Sequence, residues 1–323
     1  MANPPKIGIL VLNRNGRSWL NGLFQILCKD SYPNKQVFLV DNDSDDGSVE
    51  ITLTQYPEVT VIRLPQDLGY CMAYNLAMPH AFAAGCDWVI WANNDIRLEP
   101  DCLRELATVS QIDPLIGIVG SAFLDWDGNE PNSYMQGAHP EVIPAMQAQS
   151  AKPLDVEWVE GSFLMVSRPC VECIGPLDPF LFFYWEETDF CRRARLPGWR
   201  VVLAPRALAR HYAGGWSGDN QQNKKTANRL QSRNFYIYTL ANPFRGFMIN
   251  FLAAVHLFLF RLRQSFSGQP LAMLHQFRVF AGVLRKVRAV YKKWKRDRLG
   301  WHPPLTLEKF QDIQVTVLRG KRA

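Results

Sequence analysis

The chain has 323 residues, 47% hydrophobic and 20% charged, an ordinary globular composition that excludes a disordered or coiled-coil protein. The formal charge is +6, yet residues 285–298 alone hold eight Lys or Arg against one Asp, so the remainder is close to neutral and gives little support to a nucleic-acid role. Seven scattered Cys, with one CxxC at Cys170 and Cys173 and no second pair, argue against a zinc knuckle and fit thiols in a reducing compartment.

In chain order, the N-terminus (MANPPKIGIL) shows no charged n-region followed by a long apolar run. No signal peptide is read there, and the catalytic part is expected in the cytoplasm. Residues 7–12 are a β-branched and aliphatic strand ending at Asn13. Residues 17–28 place Leu20, Leu23, Phe24 and Leu27 at helical spacing. A second strand at 37–40 ends in Asp41, and a helix follows over Ser48–Gln55. A strand at 59–62, a helix at 69–84, a strand at 87–91 and a helix at 99–109 complete the first half, with Pro100 expected in the first turn of the last helix. Strands alternating with helices predict an α/β fold with a mostly parallel, Rossmann-like sheet.

Residues 125–155, rich in Pro, Gly, Asn and Gln, are expected to be a long loop or lid. Regular structure resumes at 156–167, with a helix near 186–196 and a strand at 199–203. After about residue 226 the character changes. Residues 246–260 are strongly apolar but too short to span a bilayer, which takes about 20 such residues. Followed by the basic stretch 285–298, they suggest an interfacial anchor on anionic lipid, against the alternative of a packed helical pair with one solvated basic face. The expected division is therefore 1–225 for a catalytic domain and 226–323 for an amphipathic helical region.

Asn13, Asp41 and Asp95 fall at successive strand ends. Ligands of open parallel sheets bind outside those ends, so a nucleotide pocket is expected there. The competing reading makes 41–46 an acidic turn that caps the next helix. Asn93-Asn94-Asp95 follows the apolar WVIWA. A carboxylate so placed suits Mg²⁺ or Mn²⁺, which bind through one or two carboxylates plus substrate phosphates. Trp185-Glu186-Glu187-Thr188-Asp189 sets three acids at a helix start. They could serve only the helix dipole, but the apolar FLFFYW before them can raise a carboxyl pKa toward that of a general base. His211, followed by Gly214, Gly215 and Ser217, is a structural histidine or a metal ligand.

Seven ordered motifs carry a family resemblance: ILVLNRNG at 9–16, VDNDSDDGS at 40–48, LGYCMAYN at 68–75, WANND at 91–95, EGSFLMVSR at 160–168, GPLDPFLFFYWEETDFCRRARLPGW at 175–199 and RHYAGGWSG at 210–218. Over about two thirds of its length the chain resembles the inverting family 2 glycosyltransferases of GT-A fold, in their rhamnosyltransferase-like and galactofuranosyltransferase-like branch. The resemblance implies that Asp41 reads the nucleotide base, with Asn13 in the same pocket. Asp67 stands where the family usually has Asn. Asp95 corresponds to the metal-binding acid, Asn93 replaces the first acid of the usual DxD and, with Asn94, would face donor ribose or diphosphate, and His211 completes a Mg²⁺ or Mn²⁺ site. Glu187 corresponds to the catalytic base, usually Asp. Glu186 and Asp189 would orient the acceptor or hold the helix start, Trp185 and Arg193 would support the acceptor or diphosphate, and Gly198 closes the helix. Arg233-Asn234 resembles a downstream pair of the same branch.

The activity implied is inverting transfer from a UDP- or dTDP-sugar, rhamnose among the options, to a hydroxyl of a lipid-linked or cell-surface glycan at the inner face of the membrane. A homo-oligomer stays open. The alternative is an inactive nucleotide- or glycan-binding protein of the same fold on the membrane. NRNGRSW at 13–19 has one Gly and no GxGxxG, which argues against an oxidoreductase, and Asn15-Gly16-Arg17 is too little for a nucleotidyltransferase phosphate loop.

Overall fold

A computed structural model describes residues 3–213, 221–265, 270–298 and 313–320. The chain divides into two units. The first holds Met1–Phe182, Glu186–Trp216 and Pro304–Ala323, and the second holds Phe183–Trp185 and Ser217–Pro303. The sequence boundary near 225 therefore falls earlier in the structure. The C-terminal tail belongs to the first unit rather than to the helical region, because its strand joins the sheet.

In the first unit the strands are β1 (Ile7–Asn13), β2 (Lys35–Asp41), β3 (Thr60–Arg63), β4 (Trp88–Asn93), β5 (Ile96–Leu98), β6 (Ile116–Leu124), β7 (Leu154–Asp155), β8 (Phe163–Ser167), β9 (Arg200–His211) and β10 (Thr316–Arg319). Its helices are α1 (Arg17–Lys29), α2 (Ser48–Gln55), α3 (Gly69–Ala83), α4 (Cys102–Ser110), α5 (Ser133–Ala138), α6 (Ile143–Gln147), α7 (Arg168–Ile174) and α8 (Glu186–Arg195). The described strands form one sheet in the order β10-β3-β2-β1-β4-β8-β6-β9-β5, with β7 beside β9. β3, β2, β1 and β4 run parallel as expected, while β8 enters antiparallel between β4 and β6. β10, β5 and β7 are also antiparallel, so the sheet is mixed rather than mostly parallel.

The sequence dictates these elements in simple ways. Ile7, Ile9, Leu10 and Val11 are buried, as a strand between parallel neighbours covered on both faces requires. Leu20, Leu23, Phe24 and Leu27 turn one face of α1 inward. Some boundaries move for local reasons. α4 begins at Cys102 and not at residue 99, because Asp101 adopts φ 63°, incompatible with a right-handed helix. β9 runs on to His211 instead of stopping at 203. Pro205 has no N–H for a ladder and lies in a bulge, where the register jumps from Ala204 to Leu208. The 125–155 excursion is folded in part: the Asn132 side chain accepts from Met135 N at 2.9 Å and caps α5. Of 156–167, only β8 is strand.

Gly69 shows why its motif needs glycine. Its φ is +73°, and a Cβ there would strike the Phe182 ring. Asn75, from the same motif, is fully buried and clasps Leu177 through both its backbone N–H and its carbonyl.

The second unit holds α9 (Gln221–Leu240), α10 (Phe247–Ser265), α11 (Pro270–Arg285) and α12 (Val287–Arg298). α10 absorbs the apolar run 246–260. Ala254 and Phe258 face inward, while Met248, Ile249, Leu252, Leu259 and Phe260 are exposed. Its buried Asn250 donates to the carbonyls of Leu240 and Asn242 and so caps the end of α9. Among the described residues, no helix is long and apolar enough to cross a membrane. On α12, Lys293 and Asp297 form a buried pair at 2.9 Å. Arg285, Lys286, Arg288, Lys292, Lys295 and Arg298 stay exposed.

Candidate active site

The polar residues named from sequence line up along the C-terminal ends of β2, β1 and β4. Asp41 is fully buried. One of its oxygens accepts from the Ser44 N–H at 3.4 Å and lies 3.6 Å from Arg63 Nε; the other, Oδ1, has no partner among the described residues. Burial raises the Asp41 carboxyl above its ordinary range, and Ser44, Arg63 and Asn13 pull it back. Asn13 Nδ2 donates to Ser44 Oγ at 3.1 Å, and Asn13 Oδ1 accepts from Asn94 Nδ2 at 2.7 Å. This contact leaves no room at Gly16, where a Cβ would meet both asparagine side chains. Asp67 accepts from Asn42 Nδ2 at 2.8 Å and Gly69 N at 3.0 Å and pairs with Arg14 at 2.7 Å. It thus ties the turn after β2 to the start of α3.

At the end of β4, Asp95 Oδ1 lies 3.3 Å from His211 Nε2, and Asn93 Nδ2 is 3.3 Å from the same nitrogen. The other face of the ring meets an acid that sequence reasoning did not single out: His211 Nδ1 is 2.6 Å from Glu160 Oε1. Burial alone would lower the His211 pKa, but the two carboxylates outweigh it and push it up to about 10. Gly214, Gly215 and Ser217 lie outside the described residues.

The resemblance implies a divalent cation, and the donor set fits one. A spacing of 3.3 Å between a carboxylate oxygen and an imidazole nitrogen suits two donors on one small cation. Among the described residues, no three His, Cys, Asp or Glu side chains form a complete cage. Its other ligands would come from substrate phosphates and water.

The acids of α8 divide into two groups. Glu187 is partly buried, against Gly161, where a Cβ would come 3.2 Å from the Glu187 Cβ. Burial pushes its carboxyl up to about 7, with Glu160 adding repulsion against hydrogen bonds that lower it. Glu186 is 4% exposed, its Oε2 has no partner, and burial beside Glu187 raises its carboxyl well above the ordinary range. Asp189 is fully buried, holding Arg192 at 2.8 Å and Arg193 at 3.0 Å. Arg193 also donates to the carbonyls of Ile174 and Pro176. Asp189 and Arg193 are taken up by each other and by the loop carbonyls, in keeping with the alternative that Asp189 holds the helix start, and Glu186 is almost wholly buried. Asp189 and Arg193 lock α8 to the loop before it, a spacing of i, i+4 that sequence could have suggested.

Trp185 belongs to the second unit, where its ring lies 5.0 Å from Phe235 and 5.3 Å from Tyr238. Asn234 of the same unit donates to the carbonyls of Phe183 and Tyr184, which gives the Arg233-Asn234 pair a structural role. The run leading into α8 is left-handed at Phe182 (φ 66°), Tyr184 (φ 71°) and Trp185 (φ 71°), rare for bulky residues.

Arg63 and Ser44 were also missed. The strand-end rule that selects Asp41 would have found Arg63, the last residue of β3. Glu160, a single acid before Gly-Ser, carries no spacing signal.

Residues 7–175 match the family described as Glycosyl transferase family 2. The chain belongs to that family. It is a glycosyltransferase of GT-A fold. It is similar to the N-acetylglucosaminyl-diphospho-decaprenol L-rhamnosyltransferase of Mycobacterium tuberculosis (strain ATCC 25618 / H37Rv), 29% identical over 208 residues, covering 56% of this chain and 68% of that protein. The dTDP-rhamnosyl transferase RfbF of Shigella flexneri is 24% identical over 199 residues, 60% of this chain and 66% of its own. Among solved structures, the mannosyltransferase PcManGT from Pyrobaculum calidifontis, in complex with GDP-Man and Mn²⁺, aligns with a TM-score of 0.54 and 15% identity over 92% of this chain and 86% of its own. At that identity the likeness speaks for the fold.

Proposed function

We propose that this glycosyltransferase moves a sugar, with rhamnose the first candidate, from a dTDP- or UDP-sugar to a hydroxyl of a lipid-linked glycan, inverting the anomeric centre. The observation that carries the reading is the polar line that runs from Asp41 through Ser44, Asn13 and Asn94 to the Asp95–His211 pair. A nucleoside diphosphate laid along it would put its base at Asp41 and its leaving phosphate beside Asp95 and His211. The unpartnered Asp41 Oδ1 suits the imide N–H shared by uracil and thymine. The two rhamnosyltransferase relatives favour dTDP and a diphospho-lipid acceptor.

Asp95 and His211 would hold a Mg²⁺ or Mn²⁺ ion, and that ion would neutralise charge on the departing diphosphate. Glu187 takes the proton of the acceptor hydroxyl as it attacks. A carboxyl titrating near 7 is suited to this task because half of it is ionised at neutral pH while it remains a usable base. Asn13, Asn94 and Asp67 orient the nucleotide.

The acceptor brings the protein to a membrane surface at its cytoplasmic face. The exposed apolar stripe of α10 and the exposed Lys and Arg of α12 have the composition of an interfacial contact with anionic lipid. Leu252→Glu combined with Phe260→Glu is expected to abolish flotation with phosphatidylglycerol vesicles; retained flotation would refute this part.

The deciding experiment is nucleotide binding by calorimetry with UDP, dTDP, GDP and NAD, each with and without Mn²⁺, followed by transfer from dTDP-rhamnose to a polyprenyl-diphosphate glycan. Metal-dependent binding of one pyrimidine diphosphate and loss of transfer in EDTA support the reading. A folded protein that binds none of them favours an inactive binding protein.

A further inference from the structure

The surroundings of His211 on the side away from Asp95 are built as carefully as the facing side. Glu160 Oε1 lies 2.6 Å from His211 Nδ1 and accepts the Ser162 hydroxyl at 2.6 Å. The Ser162 carbonyl in turn accepts the Asn93 N–H at 2.8 Å. The residues that grip the imidazole are therefore tied by backbone to the strand end that carries Asn93 and Asp95. His211 is the last residue of β9, and Glu160 precedes β8. The two are 51 residues apart in sequence.

A neutral imidazole can offer a lone pair at one nitrogen only while the other keeps its proton. An acceptor at Nδ1 selects the tautomer with a free Nε2 and fixes the ring plane. We infer that Glu160 is a positioning residue for the cation site: it holds the Nδ1–H of His211, so that Nε2 is presented toward Asp95 Oδ1. Ser162 sets the rotamer of the Glu160 carboxylate. This rests on the metal reading of Asp95 and His211 given above.

The test is Mn²⁺ binding followed by electron paramagnetic resonance of the free ion, on the full chain, alone and with dTDP or UDP. Glu160→Ala is expected to weaken Mn²⁺ binding about 10- to 100-fold, with nucleotide binding in EDTA unchanged. Glu160→Gln retains an oxygen that accepts Nδ1–H and is expected to recover most of the affinity. In the Mg²⁺-loaded wild type, ¹⁵N NMR of the imidazole should report His211 as the Nδ1–H tautomer, and Glu160→Ala should mix the tautomers. An alanine variant that binds Mn²⁺ as tightly as wild type overturns the inference, and so does a glutamine variant as weak as alanine, which would make Glu160 a ligand. Wild-type protein that takes up no Mn²⁺ with either nucleotide overturns the metal reading itself. If Glu160→Ala fails to fold, Glu160→Gln and the tautomer of the wild type still decide the question.

Discussion

Asp189 and Glu187 stand two residues apart on α8. Asp189 is fully buried with two guanidinium groups within 3.0 Å, one of which continues to the carbonyls of Ile174 and Pro176. At Glu186 and Glu187, no cation pairs with either carboxyl among the described residues, and burial raises both pKa values. Both arrangements answer the cost of taking a carboxylate out of water. The first compensates the charge and makes it framework. The second leaves the charge costly, so the group readily accepts a proton, which is what a base must do.

The sharpest way to break this comparison is Glu187→Gln, which removes the base and keeps its shape. Turnover should fall about 10²- to 10⁴-fold, while calorimetry should find nucleotide affinity unchanged; near wild-type turnover would remove Glu187 from the chemistry. Asp189→Ala attacks the other side. It removes the carboxylate that faces two buried arginines and should cost about 3–5 kcal/mol in urea unfolding. A loss under ~1 kcal/mol would mean that the clamp is not framework.

A pH series separates the two acids further. In the proposed role the ionised form of Glu187 is the active one, so kcat/KM should climb through pH 7 and level above it, and Glu187→Gln should lose that limb. Stability moves the opposite way. The carboxyl titrates near 4.5 when unfolded and near 7 when folded, so the native state holds the proton longer across that window. Its contribution is intact below 4.5 and is lost as pH rises to 7, by up to about 3 kcal/mol. Glu187→Gln should therefore narrow the gap in Tm between pH 5 and pH 8. The smallest effect is expected from Glu186→Gln. Glutamine resembles the protonated acid that burial already favours, so both stability and turnover should change by under ~1 kcal/mol.

Much of the polar line at the candidate site was legible in sequence because strand ends are legible. Short aliphatic runs that stop at Asn13, Asp41 and Asn93 announce both the sheet and the edge where ligands sit. What stayed hidden depends on contacts between distant segments. Nothing local marks Glu160 as the neighbour of His211, and nothing in 125–155 except the capping Asn132 tells that part of it folds. The antiparallel entry of β8 was equally hidden, since strand direction leaves no trace in an apolar run. The acids of α8 were visible as a group, but their opposite treatment was not: it is set by which side chains have a cation within reach.

The left-handed run at Phe182, Tyr184 and Trp185 bears on any attempt to engineer this protein for heat resistance. Each bulky residue there costs roughly 1–2 kcal/mol that glycine would not, more than the about 0.5–1 kcal/mol that glycine loses in chain entropy. A selection on melting temperature alone would drift toward glycine at the exposed Phe182, while the contacts of the Trp185 ring with Phe235 and Tyr238 oppose the exchange there. It would return hardier variants whose backbone no longer holds the approach to Glu186 and Glu187 in one conformation. Screening such libraries for turnover alongside thermal survival would keep the acidic start of α8 from being traded away.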